Sequence, residues 1–366
     1  WLFLGGFVLA QAAEKTRLTN WFAHVIVTRT GGRPSQLLAS CMATTFVFSM
    51  FISNTAATIM MVSVTLPIVK AFHHADRFRT GLMLGIAMAA NLGGMATLIG
   101  SPPNAIAVGA LSDTVEIDFL RWMIVAGPPA VLLAVLAWFY LNHRYHSWST
   151  FVDLSSVDQK VAPSLLPPWK ILYVMVVFSI TVLLWLTQAL HGIPVTVVSI
   201  LPICAFAAIG IMTSDDVCRL RWDVLLLIAG GLSLGLAVTE TGLAEWLVGM
   251  VPLETLGALG VAICLALLTA IISNFMSNTA AANILVPIGL VAIVGSEAEI
   301  VIPLALAAST AMALPVSTPP NAVVYSTDQV RAPEMIEAGV VVGIIGPLML
   351  AFWVHWILKL WPGLLA

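Results

Sequence analysis

The sequence predicts an all-α polytopic membrane protein built from two inverted-topology repeats, each holding one re-entrant hairpin and one broken helix. Three observations carry this. The chain of 366 residues is 60% hydrophobic and only 9% charged, where soluble chains carry about 25% charged residues. Two stretches, "MFISNTAATIMM" (50–61) and "NFMSNTAAANIL" (274–285), set the same polar triplet inside apolar sequence. Basic residues flank the first stretch on both sides, and acidic residues flank the second.

A helix needs about 20 apolar residues to cross a bilayer core. Single spans are predicted over 1–13, 119–141, 171–190, 195–212, 223–238 and 338–360. Two further spans, 81–111 and 301–326, are interrupted by "SPPN" (Ser101 to Asn104) and "STPPN" (Ser317 to Asn321), since paired prolines cannot continue a helix through lipid. The SNT segments, 36–70 and 257–295, are each too long for one crossing. "GGFVLAQAAEKTRLTNWF" (5–22) aligns without gaps on "GGLSLGLAVTETGLAEWL" (230–247). After each copy come an SNT segment, a PPN-broken span and a final span, in that order. Ordered duplication of this kind marks a carrier built from structural repeats.

Loop charges set the topology, because Lys and Arg concentrate on the cytoplasmic side. Lys15, Arg17, Arg29 and Arg33 precede the first SNT segment, and Lys70, Arg77 and Arg79 follow it. Glu240, Glu245 and Glu254 precede the second, and Glu297 and Glu299 follow. A segment whose two ends lie on one side has not crossed, so each is a hairpin with SNT at its tip. With two hairpins, every one of the 15 Lys and Arg except Arg121 and Lys359 falls inside. Five crossings then separate the repeat starts, which inverts the second repeat.

Function classes narrow accordingly. A formal net charge of −3 gives no basic surface for nucleic acid. Cys41, Cys204, Cys218 and Cys264 lack metal-ligand spacing, and because three of them lie in apolar runs they read as buried free thiols. No Lys, Arg, Asp, Glu or His lies within 36–69, 81–111, 257–295 or 301–326, which disfavours an intramembrane enzyme. The longest non-span stretch, 142–170, is too short for a receptor's signalling domain. Helix N-termini at the tips favour anions, and carbonyl ends favour cations. An anion held by dipoles, hydroxyls and co-bound cations fits such a site, with no arginine clamp. Sodium suits neutral oxygen ligands, whereas proton coupling would call for an ionisable group. The stretches 18–27 and 243–251 read as interfacial amphipathic helices, and most of the twelve tryptophans as an aromatic belt.

Paired SNT motifs, each followed by a PPN break, resemble the divalent anion:sodium symporter family, along the whole of 1–366. The resemblance implies an elevator-type transporter, a homodimer in the bilayer of a bacterial inner membrane, with no organic cofactor. It implies scaffold parts at 1–35 and 171–256, a linker at 146–170, and transport parts at 36–145 and 257–366. A first sodium site of Ser49, Ser53, Asn54 and Gly100 is implied, and a second of Ser273, Met276, Asn278 and Ser317. Substrate would meet Ser53, Asn54, Thr55, Ser101, Pro102, Ser277, Asn278, Thr279, Thr318 and Pro319. Ser101 stands where the family more often has Thr, and Ser317 where Ala is common, which implies tuning of the substrate or a cation site. The family carries three further helices before the first repeat, so residue 1 would fall in the fourth. The absence of an initiator Met likewise leads us to expect a preceding piece. The implied activity is sodium-coupled symport of a C4-dicarboxylate such as succinate or malate, or of citrate. Sulfate symport and sodium-independent exchange are the alternatives within the class.

The topology is open to test. A cysteine placed at Ala75 should react with an impermeant thiol reagent only from the cytoplasm, and one at Ala298 only from outside. The reverse labelling would overturn both hairpins.

Overall fold

Both SNT segments turn back on themselves in the computed structural model. It describes residues 1–365 apart from 18–22, 24, 26–29, 31, 74–75, 148–150, 152–165, 244–245 and 247–255. The stretches expected as interfacial helices at 18–27 and 243–251 fall mostly outside the described residues, as do position 75 and much of the 146–170 linker.

Repeat one begins with α1 (Leu2–Lys15) and continues through the hairpin α2 (Pro34–Ser49) and α3 (Asn54–Ala71). The broken helix follows as α4 (Phe78–Met95) and α5 (Pro102–Ala110), and α6 (Phe119–Arg144) closes the repeat. A connecting group comprises α7 (Pro168–Leu186), α8 (Gln188–His191), α9 (Val195–Val198), α10 (Ile200–Ala208) and α11 (Ser214–Cys218). Repeat two runs from α12 (Trp222–Glu240) to the hairpin α13 (Gly257–Ser273) and α14 (Asn278–Ala292). Its broken helix is α15 (Glu297–Ala308) and α16 (Pro319–Tyr325), and its last span is α17 (Ala332–Leu360). By length and composition α6, α7 and α17 can each cross a membrane.

The inversion can be read from contacts along α17. Arg79, at the start of α4, donates to Gln329 Oε1 at 2.5 Å, just before α17 begins. Glu299, at the start of the equivalent helix α15, pairs with His355 near the other end of α17. Equivalent helices therefore start at opposite ends of the molecule. The first hairpin enters where Trp138 Nε1 donates to Ser35 O at 3.3 Å. It leaves at the same end, where Ser147 Oγ donates to Asp76 Oδ2 at 2.7 Å. The chain has gone in and come back.

The motifs form the ends of helices for ordinary reasons. Ser53 and Ser277 are N-caps whose Oγ atoms accept from Ala56 N and Ala280 N, each at 3.2 Å. Asn and Thr of each triplet then occupy the first two helical positions. In the PPN motifs, the prolines begin α5 and α16 rather than forming the break itself. The non-helical backbone lies before them, at 96–101 and 309–318. Proline suits this place because its missing N–H is one the first turn would leave unpaired.

Two expectations change, and a third has exceptions. The span over 195–212 forms as α9 and α10, interrupted at Ser199; Pro202 offers no N–H to the carbonyl four residues back. Of the cysteines only Cys41 is buried, while Cys204, Cys218 and Cys264 are exposed; an apolar run in a membrane chain, as at Cys204 and Cys264, can face lipid, and Cys218 ends the short charged helix α11. Trp122 and Trp185 are exceptions to the belt expected of most tryptophans: both are fully buried, their indole N–H groups donating to Met95 O and Ser199 Oγ.

Packing centres on α4, every residue of which is buried, and on the buried 300–308 stretch of α15. Helix α4 packs against α2, α3 and α6; α15 packs likewise against α13, α14 and α17. The repeats interlock, because α14 packs on α5 and α3 packs on α16. At the basic end, Lys15 Nζ donates to Asp216 Oδ2 at 2.5 Å and to Ile211 O at 2.9 Å, tethering α1 to the approach to α12. Burial pushes the Asp216 carboxyl up, but hydrogen bonds from Lys15 and Thr213 outweigh it and hold its pKa at about 2. That contribution is complete above the ordinary value of 3.8 and is lost as pH falls through about 2. Asp216→Asn should therefore cost about 1–2 kcal/mol at neutral pH, read as a lower melting midpoint in detergent.

Candidate binding site

Four helix N-termini meet at one cavity of about 320 Å³. The starts of α3 and α14 bring Ser53, Asn54, Thr55, Ser277, Asn278 and Thr279 to its wall. The starts of α5 and α16 bring Gly100, Ser101, Pro102, Ser317, Thr318 and Pro319. Each N-terminus presents unpaired N–H groups and the positive end of its dipole, so the cavity favours an anion before any side chain is considered. Helices α1 and α12, the aligned first helices of the two repeats, wall the remaining side through Phe3, Phe7, Val224 and Leu227.

Behind the tips lie two mirrored oxygen clusters. Ser49 Oγ is 2.6 Å from Asn54 Oδ1 and 2.6 Å from Ala90 O. Ser273 Oγ is 2.7 Å from Asn278 Oδ1 and 3.3 Å from Ala308 O. A hydroxyl has one proton, so with each asparagine placed oxygen-inward it cannot satisfy both acceptors at once. In that amide orientation three oxygens converge with too few protons and suit a hard cation, and among the described residues no group of three or more His, Cys, Asp or Glu could hold a metal. Ser49 and Ser273 are fully buried and lie behind the cavity, not on its wall. Met276 is exposed and also lies off the wall. Of the residues implied for sodium, Ser53, Asn54, Gly100, Asn278 and Ser317 reach the cavity.

The breaks themselves are stapled by the PPN asparagines. Asn104 Nδ2 donates to Gly94 O at 3.0 Å and Thr97 O at 2.7 Å. Asn321 Nδ2 donates to Met312 O at 2.8 Å and Leu314 O at 3.0 Å. Carbonyls freed by the interrupted helix are thereby satisfied without water.

Sequence reasoning missed three polar or charged wall residues, Asn91, Arg221 and Asp223. Asn91 Nδ2 donates to Thr318 Oγ1 at 3.1 Å, which also accepts from Asn321 N at 3.3 Å. With both lone pairs of Thr318 engaged, its hydroxyl proton is left for a ligand. The signal for Asn91 was its amide inside the apolar run of α4, overlooked beside the repeated motifs. Arg221 and Asp223 also line the cavity, which corrects the expectation of a site without arginine. The hairpins and broken spans carry no charge, as expected; the charge comes from Arg221 in the loop before α12, which reads in sequence as one more solvated basic turn, and from Asp223 in the first turn of α12.

The citrate transporter family profile matches residues 1–297. The sodium-dependent dicarboxylate transporter SdcS of Staphylococcus saprophyticus is 30% identical, over 97% of this chain and 76% of its own. SdcS of Staphylococcus aureus strain MRSA252 is also 30% identical, over 99% of this chain and 77% of its own. Among solved structures, the Alcanivorax borkumensis YdaH transporter matches with a TM-score of 0.57 at 15% identity, over 97% of this chain and 85% of that one. The last likeness is one of fold.

A glycine fixes the first oxygen cluster. A methyl on Gly94 would come within 2.7 Å of the Asn54 amide nitrogen and closer still to its oxygen. Gly94→Ala should displace that amide and weaken sodium binding to the purified chain by about tenfold, equivalent to about 1.4 kcal/mol, with the melting midpoint nearly unchanged. Sodium binding at wild-type strength would show that the amide's position is immaterial.

Proposed function

The chain belongs to the divalent anion:sodium symporter family, and from that premise we propose that this integral membrane transporter carries a C4-dicarboxylate, succinate or malate first, together with sodium. The observation that carries the reading is the pair of mirrored clusters, Ser49–Asn54–Ala90 and Ser273–Asn278–Ala308, set behind a cavity walled by helix N-termini. The N-termini and the hydroxyls of Thr55, Thr279 and Thr318 meet carboxylates. Gly100, Ser317 and the asparagine oxygens complete the cation sites. That the Staphylococcus relatives are sodium-dependent dicarboxylate transporters supports this cargo. A cavity of about 320 Å³ lies in the size range of organic ligands and favours a dicarboxylate over sulfate.

Sodium solves an electrostatic problem. A dianion taken into a low-dielectric interior carries a heavy desolvation cost. Two sodium ions, one per cluster, offset its two charges, so the loaded site moves as a neutral unit. We assign the moving unit to 36–145 and 257–366, which hold both hairpins and both breaks. The scaffold is 1–35 and 171–256, joined by the linker 146–170. Sliding of the one past the other, as an elevator within a homodimer in a bacterial plasma membrane, would expose the site to each side in turn.

Proteoliposomes carrying the full chain should accumulate succinate under an inward sodium gradient, with malate, citrate and sulfate compared as competitors. Asn54→Ala and Asn278→Ala should each reduce uptake at least about tenfold while the protein remains folded and inserted. Accumulation indifferent to sodium would remove the coupling, and no uptake of any dianion would remove the cargo.

A further inference from the structure

Arg221 and Asp223 are the charged side chains among the described residues that line the cavity. Arg221 also lines a second hollow of about 560 Å³, which runs from the first tip along α1 and α3 past Arg219. The two hollows share Phe7, Ala10, Ile52, Ser53, Thr55 and Arg221. Arg221 therefore stands where the tip site opens toward the basic end of the molecule.

Its guanidinium is held fork to fork by a carboxylate two residues on. Nε lies 3.0 Å from Asp223 Oδ1, and Nη2 lies 2.9 Å from Oδ2. The side chains are 49% and 66% exposed. An ion pair so exposed is weak, and an arriving carboxylate of the same geometry can compete for the same fork.

We propose that Arg221 is a substrate-binding residue of the carrier, taking one carboxylate of the dianion at the cavity mouth, and that Asp223 is the internal carboxylate the substrate displaces. The inference rests on the dicarboxylate reading above. It adds a contact from the α12 wall, where the family resemblance places every contact on the hairpins and broken helices. Because α1 and α12 wall the cavity opposite the tips, this contact exists in conformations that bring the tips to α12. Arg221 thereby links affinity for the dianion to the position of the site. The plainer role for the pair is local: Asp223 in the first turn of α12 favours the helix N-terminus, and Arg221 steadies it.

The two roles predict opposite signs. Succinate binding to the purified full chain is measured by calorimetry in saturating sodium. Arg221→Gln should raise Kd about three- to tenfold, and Asp223→Asn, which frees the guanidinium, should lower it by a similar factor. Arg221→Lys should fall between wild type and Arg221→Gln, since it keeps charge but loses the fork. Sodium binding without succinate should be unchanged in all three. If Arg221→Gln leaves Kd within twofold of wild type, or if both neutral substitutions weaken binding together, the pair is structural and the inference is overturned alone. Wild-type protein that binds no dicarboxylate overturns the function reading and this inference with it.

Discussion

Every interrupted helix at membrane depth leaves N–H and C=O groups that lipid cannot satisfy, and the rest of this structure follows from how they are answered. The hydrocarbon core tolerates irregular backbone only where protein buries it or a wet cavity is lined by it. Here the carbonyl side of each break is answered internally: Asn104 takes Gly94 O and Thr97 O, and Asn321 takes Met312 O and Leu314 O. On the amide side, each hairpin's Ser cap takes one N–H, and proline removes others by having none. What remains unpaired at the four N-termini faces one cavity. The site is the part of the bookkeeping the protein leaves to its ligand.

Interlocking makes that convergence possible. The returning half of each hairpin packs on the short helix after the other repeat's break, α14 on α5 and α3 on α16. Neither repeat could close the cavity alone, since each tip would face lipid. Asn91 ties the two together directly, from α4 of the first repeat to Thr318 of the second. A change in one repeat's break is therefore felt by the hydroxyl the other offers.

Much of this was legible in the sequence, for reasons that differ by element. Duplicated SNT and PPN motifs are polar or helix-breaking residues in apolar surroundings, and loop charge fixed which segments turn back; both signals are local, and both hairpins are present. The clusters behind the tips, Ser49 with Ala90 and Ser273 with Ala308, join residues 41 and 35 apart. Only the resemblance pointed to the serines, and nothing pointed to the carbonyls, because a backbone oxygen has no signature in sequence. Arg221 was invisible for another reason. Its neighbours Arg219 and Asp223 make 219–223 read as an ordinary charged loop, and only the packing of α12 against α5 and α14 brings it to the cavity wall. Ser199 shows the opposite failure, where an apolar run concealed a break that Pro202 could have disclosed.

The two tips match in chemistry but not in cover. Phe51, beside the first triplet, packs edge-on against Phe178 of α7 at 5.8 Å between ring centroids. Phe275 occupies the equivalent place beside the second and is 76% exposed. Both hairpins carry the same N-cap, the same asparagine and the same buried serine, so local sequence does not account for the difference. It comes from where the surrounding helices stand: α7 lies over one tip, and the hollow past Arg219 and Arg221 runs from that tip to the basic end. In the carrier proposed above, inverted repeats with equal chemistry and unequal surroundings would be the physical basis of two access states, since exchanging the surroundings of the two halves would reverse the side to which the shared cavity opens. In the described conformation the hollow beside the first tip, on the side of the basic end, shares wall residues with the cavity.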